Sequence, residues 1–175
     1  GTGECALRVL VTAHMDEVGL MVTGYHGDGG LRVETIGGIN ARLLPGLGVV
    51  VGQDQLPGVI GVKAIHRAHN DHAKATPVEN LAVDIGAKSK DEAEGLAPLG
   101  TFIAFNTKFC DLGASLMGKA FDDRAGCSIL IALLQGEAFP FDLYGVFTVQ
   151  EEVGLRGAQV AAYTVEPDVA VVLEG

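Results

Sequence analysis

The fold is decided by Leu7-Arg8-Val9-Leu10-Val11-Thr12-Ala13, a stretch that runs directly into His14-Met15-Asp16-Glu17. A nearly continuous apolar run of this length is typical of a strand buried on both faces of a parallel sheet. Leu143–Val149 and Val169–Leu173 repeat the pattern. We therefore predict three buried parallel strands near the two ends of the chain.

Helical periodicity lies between and around these later strands. Asp122 or Asp123 is suited to cap a helix that runs through Cys127–Leu134, and Gly136 is suited to end it. A shorter helix is predicted over Gly157–Tyr163. Strands and helices in this order indicate an α/β core with a mostly parallel sheet, formed by residues 1–17 and 110–175.

The middle of the chain, residues 18–109, has a different texture. Short β-type runs are separated there by Gly, Pro and Asn, and only Lys90–Leu96 looks helical. Such short strands and turns predict a small antiparallel β-barrel or sandwich that is inserted into the α/β core. The predicted strands are Gly19–Tyr25, Leu31–Ile36, Val49–Val51, Val59–Ile65, Leu81–Ile85 and Thr101–Phe105.

Composition excludes several classes of protein. Of the 175 residues 48% are hydrophobic and 19% are charged, which excludes a disordered chain. The net charge of −10 argues against a nucleic-acid partner, because such binding depends on Lys and Arg. No apolar run reaches the ~18 residues that span a bilayer, so we expect a cytoplasmic protein without membrane contact. The three widely spaced cysteines predict neither a disulfide framework nor a thiolate zinc site.

Ionisable residues follow each of the three predicted core strands. His14 and Asp16 follow the first, Glu151 and Glu152 follow the second, and Glu174 follows the third. Because ligands of open α/β sheets bind at the carboxyl ends of the strands, we expect these side chains to share one edge. One imidazole with several carboxylates is the ligand set of a zinc, cobalt or manganese hydrolase.

Each of these groups also has an ordinary structural interpretation. A lone His is usually structural, a Glu pair is usually solvated, and Asp122-Asp123 at a helix start is usually a cap. Their joint placement favours a metal site. On a strand His14 and Asp16 face the same side, so one of them can bind the metal while the other orients it. Adjacent Glu151 and Glu152 point in different directions, so one can ligate while the other serves as general base.

Three blocks of sequence carry these residues: His14-Met15-Asp16-Glu17-Val18-Gly19, Gly118-Lys119-Ala120-Phe121-Asp122-Asp123-Arg124-Ala125-Gly126, and Thr148-Val149-Gln150-Glu151-Glu152-Val153-Gly154-Leu155-Arg156-Gly157-Ala158. Together they resemble the signature blocks of the M42 family of metallo-aminopeptidases, the glutamyl aminopeptidase and TET-like peptidases. The similarity spans essentially the whole chain in the right order. It implies a phosphorylase/hydrolase-like peptidase core with an inserted antiparallel β-barrel.

The resemblance also implies an activity and its cofactors. N-terminal residues would be removed from short peptides by a water activated between two divalent metal ions, zinc or cobalt, with manganese as an alternative. Asp122 would bridge the two ions. The implied metal ligands are His14, Asp122, Glu152 and Glu174.

Two further roles follow from the same resemblance. Glu151 would be the general base, and Asp16 would hold the imidazole of His14 in the right tautomer. Family members associate through the inserted domain, so a homo-oligomer, from a dimer up to a dodecamer, is implied for residues 18–109.

The family pattern extends beyond both ends of this sequence. A later His completes the second metal site in family members, whereas no His follows His72 here. We therefore expect a fragment whose second metal site is incomplete. Two alternatives stay open: a relative or fragment that binds metal or peptide without turnover, and a module that serves mainly for oligomerisation.

One other group of residues imitates a metal cluster. His66, His69 and His72 are spaced at three residues, with Asp71 between them. The neighbouring Asn, Pro and Ala residues indicate an exposed loop, so we assign this cluster no function. The absence of Trp argues against a sugar-binding role, because no indole is available to stack on a sugar ring.

Overall fold

The computed structural model describes residues 7–62 and 77–175, which divide into two compact units. One unit contains the described residues up to Glu17 together with Ala120–Gly175, and the other contains those from Val18 to Lys119. In chain order the elements are β1 (Arg8–His14), β2 (Gly19–Tyr25), β3 (Leu31–Ile36), β4 (Gly48–Val51), β5 (Leu56–Val62), β6 (Leu81–Asp84), α1 (Lys90–Leu96), β7 (Phe102–Phe105), β8 (Cys110–Asp111), β9 (Leu116–Met117), α2 (Phe121–Leu134), β10 (Asp142–Thr148), α3 (Arg156–Val165) and β11 (Val169–Val172).

The first unit is built on a three-stranded parallel sheet with the order β10-β1-β11. The central strand β1 pairs in parallel with β10 along its whole length and with β11 along part of it. The three predicted strands therefore do form one parallel sheet. All three carboxyl ends lie at the same edge of it.

Strand β1 is buried on both faces, as its apolar run predicts. Val9, Val11 and Ala13 on one face form a cluster with Cys127 and Leu130 of α2. The residues that alternate with them on the other face are also buried. The helix α2 thus covers the strand that ends in the candidate ligand His14.

Strand β11 is not the buried strand that the sequence predicts. All four of its residues are exposed, and Val172 retains 63% of its accessible surface. The reason is position, because β11 lies at an edge of the sheet and β1 is its one strand partner among the described residues. An apolar run indicates a strand but does not report whether another element covers it.

The second unit contains a closed barrel of six strands in the order β2-β3-β6-β5-β4-β7, in which every neighbouring pair is antiparallel. Its interior is filled by alternate residues of the strands, such as Leu20 and Val22 of β2 and Val49 and Val51 of β4. The barrel, rather than the alternative of a sandwich, is therefore the correct prediction. The hairpin β8–β9 also belongs to this unit, beyond the predicted insert boundary at residue 109.

The helix α1 spans Lys90–Leu96, the segment that the sequence predicts as helical. The hydroxyl of Ser89 accepts a hydrogen bond from the Glu92 amide and so caps the helix. Ala93 and Ala97 enter the barrel core. Within the described residues no helix is both long and apolar enough to cross a membrane.

Candidate metal centre

The side chain of His14 lies at the centre of the candidate site. It is the last residue of β1, and its side chain is only 2% exposed. Its Nε2 atom is 2.9 Å from Asp122 Oδ1, 3.6 Å from Glu174 Oε1 and 4.0 Å from Glu151 Oε2. Because β1, β10 and β11 are parallel, residues that follow the three strands meet at one edge of the sheet.

Two overlapping groups of ligand atoms surround this imidazole. One group consists of His14, Asp122 and Glu174, and the other of His14, Glu151 and Glu152. Within each group the ligand atoms lie within 4.8 Å of one another. The structure thus brings together every residue that the sequence nominates as a metal ligand or general base.

The other ring nitrogen of His14 is held by backbone. Nδ1 lies 3.0 Å from the carbonyl oxygen of Asp16, which can only accept a hydrogen bond. Nδ1 therefore carries a proton, and Nε2 is the atom that faces the carboxylates. The nearest Asp16 carboxylate oxygen is more distant, at 3.6 Å from Nδ1.

The carboxylate of Asp16 instead contacts the loop that follows β10. Its Oδ1 accepts a hydrogen bond from the Glu151 amide and its Oδ2 accepts one from the Glu152 amide, each at 3.2 Å. The resemblance implies that Asp16 orients His14, and in the structure its backbone carbonyl, rather than its carboxylate, makes the shorter contact with the ring. The hydrogen bonds to the two amides carried no signal in the sequence, because they join residues far apart in the chain.

The two aspartates at the start of α2 have different surroundings. Asp123 is buried, at 1% exposure, and accepts hydrogen bonds from the amides of His14, at 3.2 Å, and Gly126, at 3.0 Å. Asp122 points to the imidazole and is largely exposed. The peptide bond that joins them is cis. Ala120 is the residue that precedes α2, and the backbone angles of Asp122 and Asp123 inside it are not helical. Asp123 accepts the amide three residues further on, as a capping side chain does, and Asp122 is left to face the site.

Contacts that sequence reasoning missed fix the end of β1 to α2. The thiol of Cys127 donates to the carbonyl of His14 at 3.2 Å, and Nε of Arg124 donates to the carbonyl of Met15 at 3.0 Å. Asp123 and Cys127 are four residues apart on one face of the helix, which is the spacing that could have indicated a shared partner.

Negative charge is concentrated around the imidazole. Burial by itself lowers the pKa of His14, but the hydrogen bonds to Asp122 and to the Asp16 carbonyl, with the charges of Glu174 and Asp122, raise it overall. The pKa of Glu152 is also raised, first by burial and then by the charges of Asp122 and Glu151. Nearby carboxylates contribute to both shifts, in addition to the burial that raises the pKa of Glu152.

This donor set fits a divalent cation. Four carboxylates and one imidazole nitrogen, Nε2 of His14, converge from the ends of three strands and the start of one helix. Oxygen and imidazole donors suit zinc, cobalt and manganese, and a cation would relieve the repulsion that raises the Glu152 pKa. The histidines of the 66–72 cluster lie outside the described residues.

Comparison with known proteins identifies related peptidases. The profile of the M42 glutamyl aminopeptidase family matches residues 2–175. FrvX of Escherichia coli (strain K12), a protein named as an aminopeptidase, is 41% identical over 180 residues, which cover 98% of this chain and 50% of that protein.

Solved structures of the same family are also similar. A TET aminopeptidase from the marine sediment archaeon Thaumarchaeota archaeon SCGC AB-539-E09 is 40% identical with a TM-score of 0.88, over 95% of this chain and 50% of its own. The TET1 peptidase of Pyrococcus horikoshii is 37% identical with a TM-score of 0.87, over 98% of this chain and 54% of its own. This chain therefore spans about half the length of the relatives it matches. With the family profile matched from residue 2 to residue 175, the chain belongs to the M42 family of glutamyl aminopeptidases.

Proposed function

We propose that this chain forms the active site of a metal-dependent aminopeptidase that removes N-terminal residues from short peptides. The observation that carries the proposal is the convergence of His14, Asp122, Glu151, Glu152 and Glu174 at one edge of the sheet. Such a cluster in a chain of the M42 family matches the chemistry of peptide hydrolysis.

The proposed ligands of two divalent ions, zinc or cobalt with manganese as an alternative, are His14, Asp122, Glu152 and Glu174. When bound, the ions would supply Lewis acidity toward the scissile carbonyl group and toward a water molecule. Asp122 lies closest to Nε2 of His14, and its charge also raises the pKa of Glu152, so it is near both groups of ligands. This position suits a carboxylate shared between the two ions.

The proposed general base is Glu151. Its carboxylate lies 4.0 Å from Nε2 of His14, close to the cluster but beyond hydrogen-bond distance from the ring. Its side chain keeps 25% of its accessible surface, so solvent reaches it. There it would take a proton from the attacking water and pass it to the leaving amine.

Self-association is the second part of the proposal. The TET1 peptidase of Pyrococcus horikoshii can assemble into a tetrahedron or a large octahedral shell. We extend homo-oligomer formation to this chain and assign the contacts to the barrel unit, where the exposed residues Leu99 and Phe102 line one groove. A cytoplasmic location stays a prediction.

Metal content and hydrolysis of a panel of aminoacyl p-nitroanilides test the proposal. With zinc or cobalt added, we expect clear turnover and at least one ion bound per chain, because the second metal site lacks the later His that the family resemblance implies. Glu151→Gln should lower kcat by at least about 100-fold, because it removes the base, and should leave the metal content unchanged. Glu137→Gln, at an exposed position after α2, is the matched control and should leave kcat unchanged.

Two results would count against the proposal. A protein that binds the metal but cleaves none of the panel would be a metal-binding relative without this activity. Turnover in Glu151→Gln at the wild-type rate would remove Glu151 from the chemistry and leave the base unassigned.

A further inference from the structure

The carboxylate of Asp16 uses both of its oxygen atoms on the loop after β10. Oδ1 accepts from the Glu151 amide and Oδ2 from the Glu152 amide, each at 3.2 Å. These two amides belong to the residues that carry the proposed base and one proposed ligand. A single side chain from the β1 side of the sheet therefore fixes the backbone of both.

The carbonyl groups of residues 149–151, at the start of this loop, accept hydrogen bonds from amides a few residues further along the chain. The Gly157 amide donates to the Val149 carbonyl at 3.0 Å, and the Arg156 amide donates to the Gln150 carbonyl at 3.1 Å. The Glu151 carbonyl accepts from residues 154 and 155. The carbonyls of residues 149–151 thus accept from the loop itself and from the first turn of α3, whereas the Glu151 and Glu152 amides receive their acceptor from Asp16.

We infer that the carboxylate of Asp16 is the positioning group for the Glu151-Glu152 pair, and that the backbone carbonyl of Asp16 is sufficient to orient His14. The ring contact with the carbonyl is 3.0 Å, whereas that with the carboxylate is 3.6 Å. Any residue at position 16 supplies a carbonyl, whereas a carboxylate side chain offers a separate oxygen to each of the two amides. The catalytic consequence of this inference rests on the proposed function.

Amide hydrogen exchange resolved by residue in NMR separates the two roles. In Asp16→Ala the Glu151 and Glu152 amides should exchange about tenfold faster or more, because each loses a charged acceptor. The nitrogen shifts of the His14 ring should still report a proton on Nδ1. Asp84→Asn is the matched control, since Asp84 accepts the Gly86 amide at 2.8 Å in the barrel.

The opposite pattern overturns the inference. If the two amides exchange at the wild-type rate while the His14 proton moves to Nε2, the carboxylate of Asp16 serves the imidazole. If Asp16→Ala does not fold, the isosteric Asp16→Asn is measured instead, and at least one of the two amides should exchange faster. In the wild-type protein, a scalar coupling across the hydrogen bond to the Asp16 carboxyl carbon should also be detected, and its absence from both amides contradicts the inference.

Steady-state kinetics of Asp16→Asn test the catalytic consequence separately from the amide exchange rates. In the metal-loaded protein Asp16→Asn should lower kcat about tenfold or more with little change in KM, because Glu151 is displaced from its place beside the cluster. If the wild-type protein hydrolyses nothing, the proposed function fails, whereas the exchange rates of the two amides still decide what Asp16 holds.

Discussion

Gly157 lies where α3 makes its closest approach to the end of β10, and its replacement by Ala tests how the Glu151-Glu152 loop is held. A Cβ atom at this position would be 2.4 Å from the carbonyl oxygen of Val149 and 2.8 Å from its amide nitrogen. Ordinary contacts begin at 3.4 Å, so the shorter distance is about 1 Å too small. Both opposing atoms are backbone, which cannot move aside as a flexible side chain does.

The expected cost combines three effects. Forcing an extra methyl group into packed surroundings costs about 1–3 kcal/mol. Lengthening the hydrogen bond from the Gly157 amide to the Val149 carbonyl, now 3.0 Å, removes up to about 1 kcal/mol. Replacing a glycine restores about 0.4–1 kcal/mol by restricting the unfolded chain. We therefore expect Gly157→Ala to lower the free energy of unfolding by about 2 kcal/mol, the middle of the range that the three effects give together.

Urea denaturation followed through the NMR amide signals of β10 and α3 measures this change in the unit that contains the site. Gly95→Ala in α1 is the matched control, because its Cβ would meet no atom within 4 Å. It should raise the unfolding free energy of the barrel unit by about 0.5–1 kcal/mol. A Gly157→Ala protein as stable as the wild type would refute the steric reasoning, because the loop would then have room that the structure does not show.

Two further predictions concern the cores of the two units. Leu130→Ala should lower the unfolding free energy, measured by urea titration, by about 2–5 kcal/mol, because Leu130 is 0% exposed. The control Ile129→Ala, at a 58% exposed position of the same helix, should change it by less than about 1 kcal/mol. The pKa of Tyr25 is raised, first by burial and then by the charge of Glu94. Its contribution to stability is therefore complete below about pH 10 and is lost as the pH rises through the folded-state value. Unfolding free energies measured from about pH 8 to about pH 11 should fall more in the wild type than in Tyr25→Phe, and Tyr163→Phe at an exposed position should behave as the wild type.

Much of the secondary structure could be predicted because each element has a local signal. Short β-type runs between Gly, Pro and Asn residues predicted β2 and β3, and Lys90–Leu96 was the one segment of the insert that looked helical. The burial of β11 could not be predicted in this way. Its four apolar residues look the same in the sequence whether a neighbouring element covers them or not, and in the structure they are exposed.

The sequence predicted which residues form the candidate site, but it did not predict which of them contact one another. Strand ends rich in carboxylates identified His14, Glu151, Glu152 and Glu174. No local signal showed which of Asp122 and Asp123 faces the site and which accepts backbone amides, because both lie at a helix start and both suit a cap. This is decided by the end of β1, whose His14 amide donates to Asp123 and whose His14 ring faces Asp122.

The insertion of a barrel between β1 and α2 has a consequence for the order of folding. His14 pairs with Thr148, and the whole barrel segment lies between these two residues in the chain. Pairing of β1 with β10 therefore closes a long loop. Within the barrel, Leu20 pairs with Ile103, which brings the two ends of that segment together. A barrel that folds first shortens the remaining loop between β1 and α2 about fourfold, and this lowers the entropy cost of closing it by about 1 kcal/mol. Variants that unfold the barrel should therefore slow the pairing of β1 with β10, even though they change no residue of the sheet.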